Sequence, residues 1–183
     1  MANDLNAWFS AIKWAYDSYY KTLLKAGKMP LRSTEVGFWG AAVADEIWDL
    51  FMGYLNLYSA KNFIDLGSGD GKVVLLASLF TKATGIEHDK DLHAVAEHIR
   101  KHFKLPNANF INGNYFDHDL SKYDVIFINP DQPLARLEKK LLQEMKGKLV
   151  VYGHLYHPPS LKKIRSFTIG GTPIAVYSHP HGL

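Results

Sequence analysis

Apolar positions follow a helical rhythm at the start of the chain and a strand rhythm further on. Leu5, Trp8, Phe9, Ile12, Tyr16, Tyr19 and Leu23 recur at steps of three and four, the spacing of one helical face. They predict an amphipathic helix over residues 4–26, with Asn3 or Asp4 as its cap and Gly27 as its stop. Its aromatic stripe is read as packing on the rest of the domain, with a wall of the substrate site as the alternative. Residues 28–32 form a connector. A second helix is predicted from Ser33 or Thr34 to about Tyr54, carrying Val36, Val43, Ile47, Leu50, Phe51 and Tyr54 on its apolar positions. Gly37-Phe38-Trp39-Gly40 sits awkwardly there, because each glycine costs a helix interior about 1 kcal/mol relative to alanine. Two glycines around two large rings signal a close approach, either by a ligand or by the helix against a sheet.

From residue 63 onward, short apolar runs alternate with helical patterns. Strands are expected over residues 63–66, 84–87, 109–111, 123–128 and 148–152, and helices over 73–80, 90–103 and 134–145. Asp89 can cap the second of these helices, and Gly147 can stop the third. Such alternation argues an α/β domain built on a parallel sheet. The segments 164–169 and 173–177 flank Gly170-Gly171 and read as a closing hairpin.

Composition narrows the class. At 183 residues with 47% hydrophobic content, the chain can form one domain with a sizeable core. It has no cysteine, which removes disulfides and cysteine metal sites, and nothing suggests secretion. The N-terminus lacks a basic segment before an apolar core, and no uninterrupted apolar run reaches about 18 residues, so a cytoplasmic protein without a membrane span is expected. A net charge of +3 permits nucleic acid or an acidic partner without selecting either. His98 and His102 stand four apart on one helical face, but Glu97, Arg100 and Lys101 around them mark a solvated surface. Exposed histidines, not a metal site, are expected.

The candidate chemistry centres on Asp65-Leu66-Gly67-Ser68-Gly69-Asp70-Gly71, which follows an apolar strand and precedes an apolar helix. Glycines at a strand-to-helix turn let a ligand approach the main chain. The dinucleotide fingerprint places its third glycine one residue beyond Gly71. The pattern present, Asp-x-Gly-x-Gly-x-Gly, resembles motif I of the class I S-adenosylmethionine (SAM)-dependent methyltransferases. A tight structural turn or a site for another nucleotide is the alternative. A second carboxylate, Glu87, ends the next strand about 20 residues after the first glycine. An acceptor-only side chain there can take both hydrogen bonds of a ribose diol.

The resemblance covers residues 34–178 and implies roles for further residues. Asp65 would orient the methionine end of SAM, and Gly67, Ser68, Gly69 and Gly71 would lie against the ligand. Asn114 would hydrogen-bond adenine while Tyr115 packs on its face. Asn129-Pro130-Asp131 occupies motif IV, beside the reactive methyl. Asn129, Asp131 and Tyr115 are therefore the catalytic candidates, with Trp39 a further channel wall, and Asp131 could instead cap the following helix. The implied fold is a three-layer αβα Rossmann-like sheet of seven mostly parallel strands with a reversed last strand, plus N-terminal helices. Residues 1–33 would form a helical extension and residues 34–183 the SAM-dependent domain.

Two resemblances bear on the acceptor. Asp65 to Gly71 and Gly113 to Asp117 are similar to the small archaeal-type protein lysine methyltransferases. Asn129-Pro130-Asp131 partly resembles the (Asp/Asn)-Pro-Pro-aromatic motif of enzymes acting on exocyclic amines of bases, with Asp131 and Gln132 in place of the proline and the ring. Methyl transfer to a protein lysine is the leading expectation. A nucleic-acid or small-molecule nitrogen follows, and a non-catalytic SAM-binding module is the reading from another class.

Overall fold

The computed structural model describes residues 2–181, with side chains from Asp4 onward. The N-terminal helix α1 (Ala2–Lys25) starts two residues before the predicted run, and the Asn3 side chain proposed as a cap lies outside the described residues. Ile12 and Tyr16 are fully buried, and Phe9, Tyr19 and Tyr20 pack beside them. The aromatic stripe is therefore a packing face.

The predicted second helix is only half present. Residues 31–40 form a hairpin, β1 (Leu31–Ser33) and β2 (Phe38–Gly40), paired Leu31 to Gly40 and Ser33 to Phe38. Thr34 closes the turn, its N–H donating to the Gly37 carbonyl at 2.8 Å. Paired glycines and β-favouring Val36, Phe38 and Trp39 defeat the helix here. Helix begins only at α2 (Ala44–Asp49) and continues as a π-helical turn, Leu50–Tyr54.

The remaining elements are β3 (Asn62–Leu66), α3 (Lys72–Ala77), β4 (Lys82–Glu87), α4 (Lys90–Phe103), β5 (Ala108–Asn112), β6 (Val125–Ile128), α5 (Ala135–Glu144), β7 (Lys148–Tyr152), β8 (Lys162–Ile169) and β9 (Thr172–Ser178). Asp89 caps α4 as expected, accepting from the Asp91 and Leu92 N–H groups at 3.0 Å each.

Seven strands form one sheet in the order β5-β4-β3-β6-β7-β9-β8. All pairs through β7 are parallel, and β9 runs antiparallel to both β7 and β8. The reversed last strand is thus present. The central strands are apolar on both faces, as parallel strands covered twice must be. Phe63, Val125 and Phe127 point into the core under α1 to α4. Ile64, Ile126 and Ile128 point into the core on the other face, filled by Leu137 and Leu141 of α5. No helix among the described residues is long and apolar enough to cross a membrane.

After β5 the chain crosses to the far side of β3 and lays down β6. That reversal opens a crevice at the carboxyl ends of β3 and β6, where open α/β sheets bind ligands.

Candidate functional site

The crevice is a cleft of about 430 Å³, within the range of small-molecule sites. Asp65, Gly67, Ser68, Gly69, Glu87, Asn114, Tyr115, Asn129 and Asp131 all line it, so four strand ends converge. Gly71 is the exception and does not line it.

The three loop glycines serve different ends. All have positive φ, 74° at Gly67, 54° at Gly69 and 84° at Gly71, a conformation that disfavours side chains. A Cβ on Gly67 would meet nothing within 4 Å, so that main chain is open to a ligand. A Cβ on Gly69 would lie 2.6 Å from the Trp39 indole nitrogen. A Cβ on Gly71 would lie 2.6 Å from Ala96 and from Phe110. Gly71 is therefore a packing glycine beneath α4 and β5, which corrects its reading as a ligand contact. Ser68 lays its hydroxyl against Gly85, where it has no hydrogen-bond partner among the described residues, while its main-chain N–H donates to the Ile86 carbonyl at 3.0 Å and its carbonyl accepts the Gly71 N–H at 2.9 Å.

Glu87 is buried at the tip of β4, and its carboxylate already ties two loops together. The Gly69 N–H donates to Oε2 at 2.7 Å and the Asp89 N–H to Oε1 at 2.8 Å. A carboxylate has about four lone-pair sites, so two remain for a diol. Asp65, buried at the tip of β3, accepts no hydrogen bond from the described residues. Burial pushes its carboxyl well above the ordinary range, and the charges of Glu87 and Asp70 push the same way. A cationic partner would relieve this acid.

Asp70 also lines the cleft, but its polar groups are engaged by α1. The Tyr20 hydroxyl donates to its Oδ2 at 2.6 Å, and the Tyr16 hydroxyl donates to its carbonyl at 2.8 Å. The Lys72 ammonium sits 4.7 Å from the Tyr20 ring centre, and burial lowers its pKa. Helix α1 thus buttresses the glycine loop. The signal in the sequence was two tyrosines one helical turn apart; their target could not be read.

On the far side of the cleft, Asn114 accepts from the Phe116 N–H at 3.0 Å and opens a 3-10 turn, Tyr115–Asp117. Tyr115 packs on Phe116 with ring centres 4.5 Å apart, and burial followed by the Asp131 charge raises its pKa. Arg136, which sequence reasoning missed, stacks its guanidinium 3.8 Å from the Phe116 ring centre. Asn129 stands exposed after β6, beside Gly153.

Asp131 does not cap α5, whose first residues receive no side-chain cap. It accepts the Phe38 N–H, and its carboxylate fills the space a Cβ on Gly37 would need. The hairpin β1–β2 therefore lies across the cleft, reaching both lips. On the β4 side Arg32 pairs with Asp89 at 2.8 Å, and Glu35 stands 3.8 Å from His88. Between the lips, Trp39 is buried against Gly69. The close approach signalled by Gly37-Phe38-Trp39-Gly40 is real, but it is made from a hairpin.

Comparison with known proteins places this geometry. Residues 65–165 match the family model described as the ANTKMT methyltransferase domain. A curated relative, the probable cobalt-precorrin-6B C(15)-methyltransferase (decarboxylating) of Sulfurisphaera tokodaii, is 34% identical over 119 residues. That match covers 58% of this chain and 60% of the relative, so the chain spans about three-fifths of that protein's length. Among solved structures, an RNA methyltransferase from Salinibacter ruber in complex with S-adenosylhomocysteine (SAH) superposes with a TM-score of 0.67 at 20% identity, covering 78% of this chain and 96% of that one. A mutant of MtNAS in complex with SAM gives 0.63 at 12% identity, covering 74% and 62%. At these identities the solved structures show a shared fold.

Proposed function

The chain belongs to the ANTKMT methyltransferase domain family, a class I SAM-dependent methyltransferase domain in motif and fold, and from that premise we propose that the protein methylates a nitrogen acceptor, the side-chain amine of a protein lysine. The observation that carries the cofactor half is the convergence of Glu87, Asp65 and the open Gly67 main chain on one cleft. Their chemistry fits the cofactor's parts. Glu87 keeps lone pairs for the ribose diol. Asp65 offers an unpaired buried carboxylate to the amino-acid tail. Asn114 and Tyr115 line the same cleft and are read as the bracket for adenine.

When bound, SAM supplies an electrophilic methyl on a sulfonium. The protein's part is then to position the acceptor in line with it and to exclude water. Phe38, Trp39, Tyr115 and Phe116 give the cleft an aromatic wall beside Asn129 and Pro130. Such surroundings favour the neutral form of a lysine amine, whose unperturbed pKa is about 10.4. The Asn129 main chain can hold the amine by its hydrogens while its lone pair faces the methyl.

A second reading, the exocyclic amine of a nucleic-acid base, is supported by Asn129-Pro130 at the strand end and by Phe38. Its main-chain N–H donates to Asp131 and its exposed ring lines the cleft, so the ring could supply the stacking surface the segment itself lacks. The curated relative's name assigns it a carbon acceptor, which makes carbon the third outcome to test.

The test is transfer of labelled methyl from SAM into a cell lysate, then separated into protein, RNA and small-molecule fractions. Label on protein lysine is expected. Label in RNA or in small molecules overturns the lysine reading, and tight SAM binding with no label in any fraction makes the chain a binding module.

A further inference from the structure

We propose that Asp131 is a positioning residue, the latch that holds the β1–β2 hairpin shut over the cofactor cleft and sets how long the cofactor stays. The inference rests on the cofactor reading above and goes beyond it, because motif IV is read there only as part of the acceptor's surroundings.

Three observations assign the role. First, the Asp131 carboxylate is already committed. It accepts the Phe38 N–H from 93 residues away and lies against Gly37, where only hydrogen fits. Second, the two ends of the hairpin are tied unequally. On the β4 side the part-buried Arg32–Asp89 pair at 2.8 Å joins the hairpin to the N-cap of α4, and Glu35 near its turn stands 3.8 Å from His88. On the β6 side the polar tie among the described residues is the single Phe38–Asp131 bond, at an exposed residue. The first end is built as a hinge and the second as a catch. Third, the hairpin roofs the ligand space. Trp39 follows the latched residue directly and fills the place of the missing Gly69 side chain, so release at Asp131 frees the indole from the glycine loop.

A latch and a proton acceptor respond differently to Asp131→Asn. The asparagine side-chain oxygen still accepts the Phe38 N–H, whereas it cannot take a proton or pair with a cation. Asp131→Ala removes both functions. Gly37→Ala leaves Asp131 in place but drives a methyl into its carboxylate, and Gly37 has no positive φ to complicate the change.

The experiment is stopped-flow release of SAH from the full chain, followed by tryptophan fluorescence, with Trp39→Phe to assign the signal among the four tryptophans. Asp131→Ala and Gly37→Ala are expected to release SAH about tenfold faster than wild type, the lower end for a hydrogen bond to a charged group. Asp131→Asn is expected to stay within about threefold of wild type. SAH release from Asp131→Ala at the wild-type rate overturns the latch, as does an Asp131→Asn rate equal to that of Asp131→Ala. Melting temperatures without ligand confirm that each variant is folded. A wild-type chain that takes up no SAH would defeat the cofactor reading itself, a different failure from tight SAH with unchanged release.

Discussion

Replacing Glu87 by alanine removes three things at once, and the structure separates them. The carboxylate accepts the Gly69 N–H at 2.7 Å and the Asp89 N–H at 2.8 Å before any ligand arrives. Losing it strands the buried Gly69 donor, which costs about 1–3 kcal/mol of stability. The Asp89 donor is only part-buried and adds less. The third loss is the pair of ribose hydroxyls, two charge-assisted bonds whose removal weakens binding by about 1–3 kcal/mol, or roughly 5- to 150-fold in Kd. Urea unfolding of the ligand-free chain reads the first two losses, and calorimetric titration with SAH reads the third. Glu87→Gln keeps one good acceptor and is expected to fall between wild type and Glu87→Ala in both assays. A folded Glu87→Ala protein that binds SAH within twofold of wild type would refute the ribose assignment and leave Glu87 as a staple between loops.

Further outcomes follow from the same crest. Gly71→Ala should destabilise the fold by about 2–5 kcal/mol in urea unfolding, combining a positive φ of 84° with contacts at 2.6 Å, whereas Gly67→Ala should cost only about 1–2 kcal/mol because its new methyl meets nothing; equal costs would contradict the division between packing and open glycines. Tyr20→Phe strips a 2.6 Å bond from the buried Asp70 carboxylate and should lower stability by about 1.5–3 kcal/mol, measured by the same unfolding; an unchanged midpoint would remove α1 as a buttress of the loop. Burial raises the Asp65 pKa well above its ordinary value, so the stability it contributes is fully present below the ordinary carboxylate pKa and is lost as pH rises through the raised one. The ammonium of the ligand's zwitterionic tail favours the ionised form, so SAH affinity should strengthen as pH climbs from the ordinary carboxylate range near 3.9 through that raised value, and Asp65→Asn should flatten the slope; a pH-independent wild type would detach Asp65 from the tail.

The parallel core was legible because physics leaves it few options. Val125, Ile126, Phe127 and Ile128 are buried on both faces and spell an unbroken apolar run. Gly170-Gly171 announced the closing hairpin, and both glycines do take positive φ. The two carboxylates at strand tips were equally visible, since an acid ending an apolar strand has few structural uses. What stayed hidden depends on distant partners. The hairpin at residues 31–40 has strands of three residues, too short for a period to show. It is held by Asp89 and Asp131, which are 57 and 93 residues away from their partners. The glycines of the loop likewise announced a need for small residues without saying which neighbour imposed it. Only the packed structure gives Gly71 to Phe110 and Gly69 to Trp39. Helix α3 ends at Ala77, short of the predicted Phe80, where the chain tightens into i→i−3 turns, Leu79 N–H to the Leu76 carbonyl and Phe80 N–H to the Ala77 carbonyl.

The most direct measurement is a crystal structure of the chain grown with SAH. The expected density lies across the tips of β3 and β4, with the ribose diol on the Glu87 carboxylate and the amino-acid tail at Asp65 beneath Trp39. SAH bound elsewhere, or a cleft closed by Trp39 with no ligand in it at saturating SAH, would contradict the site.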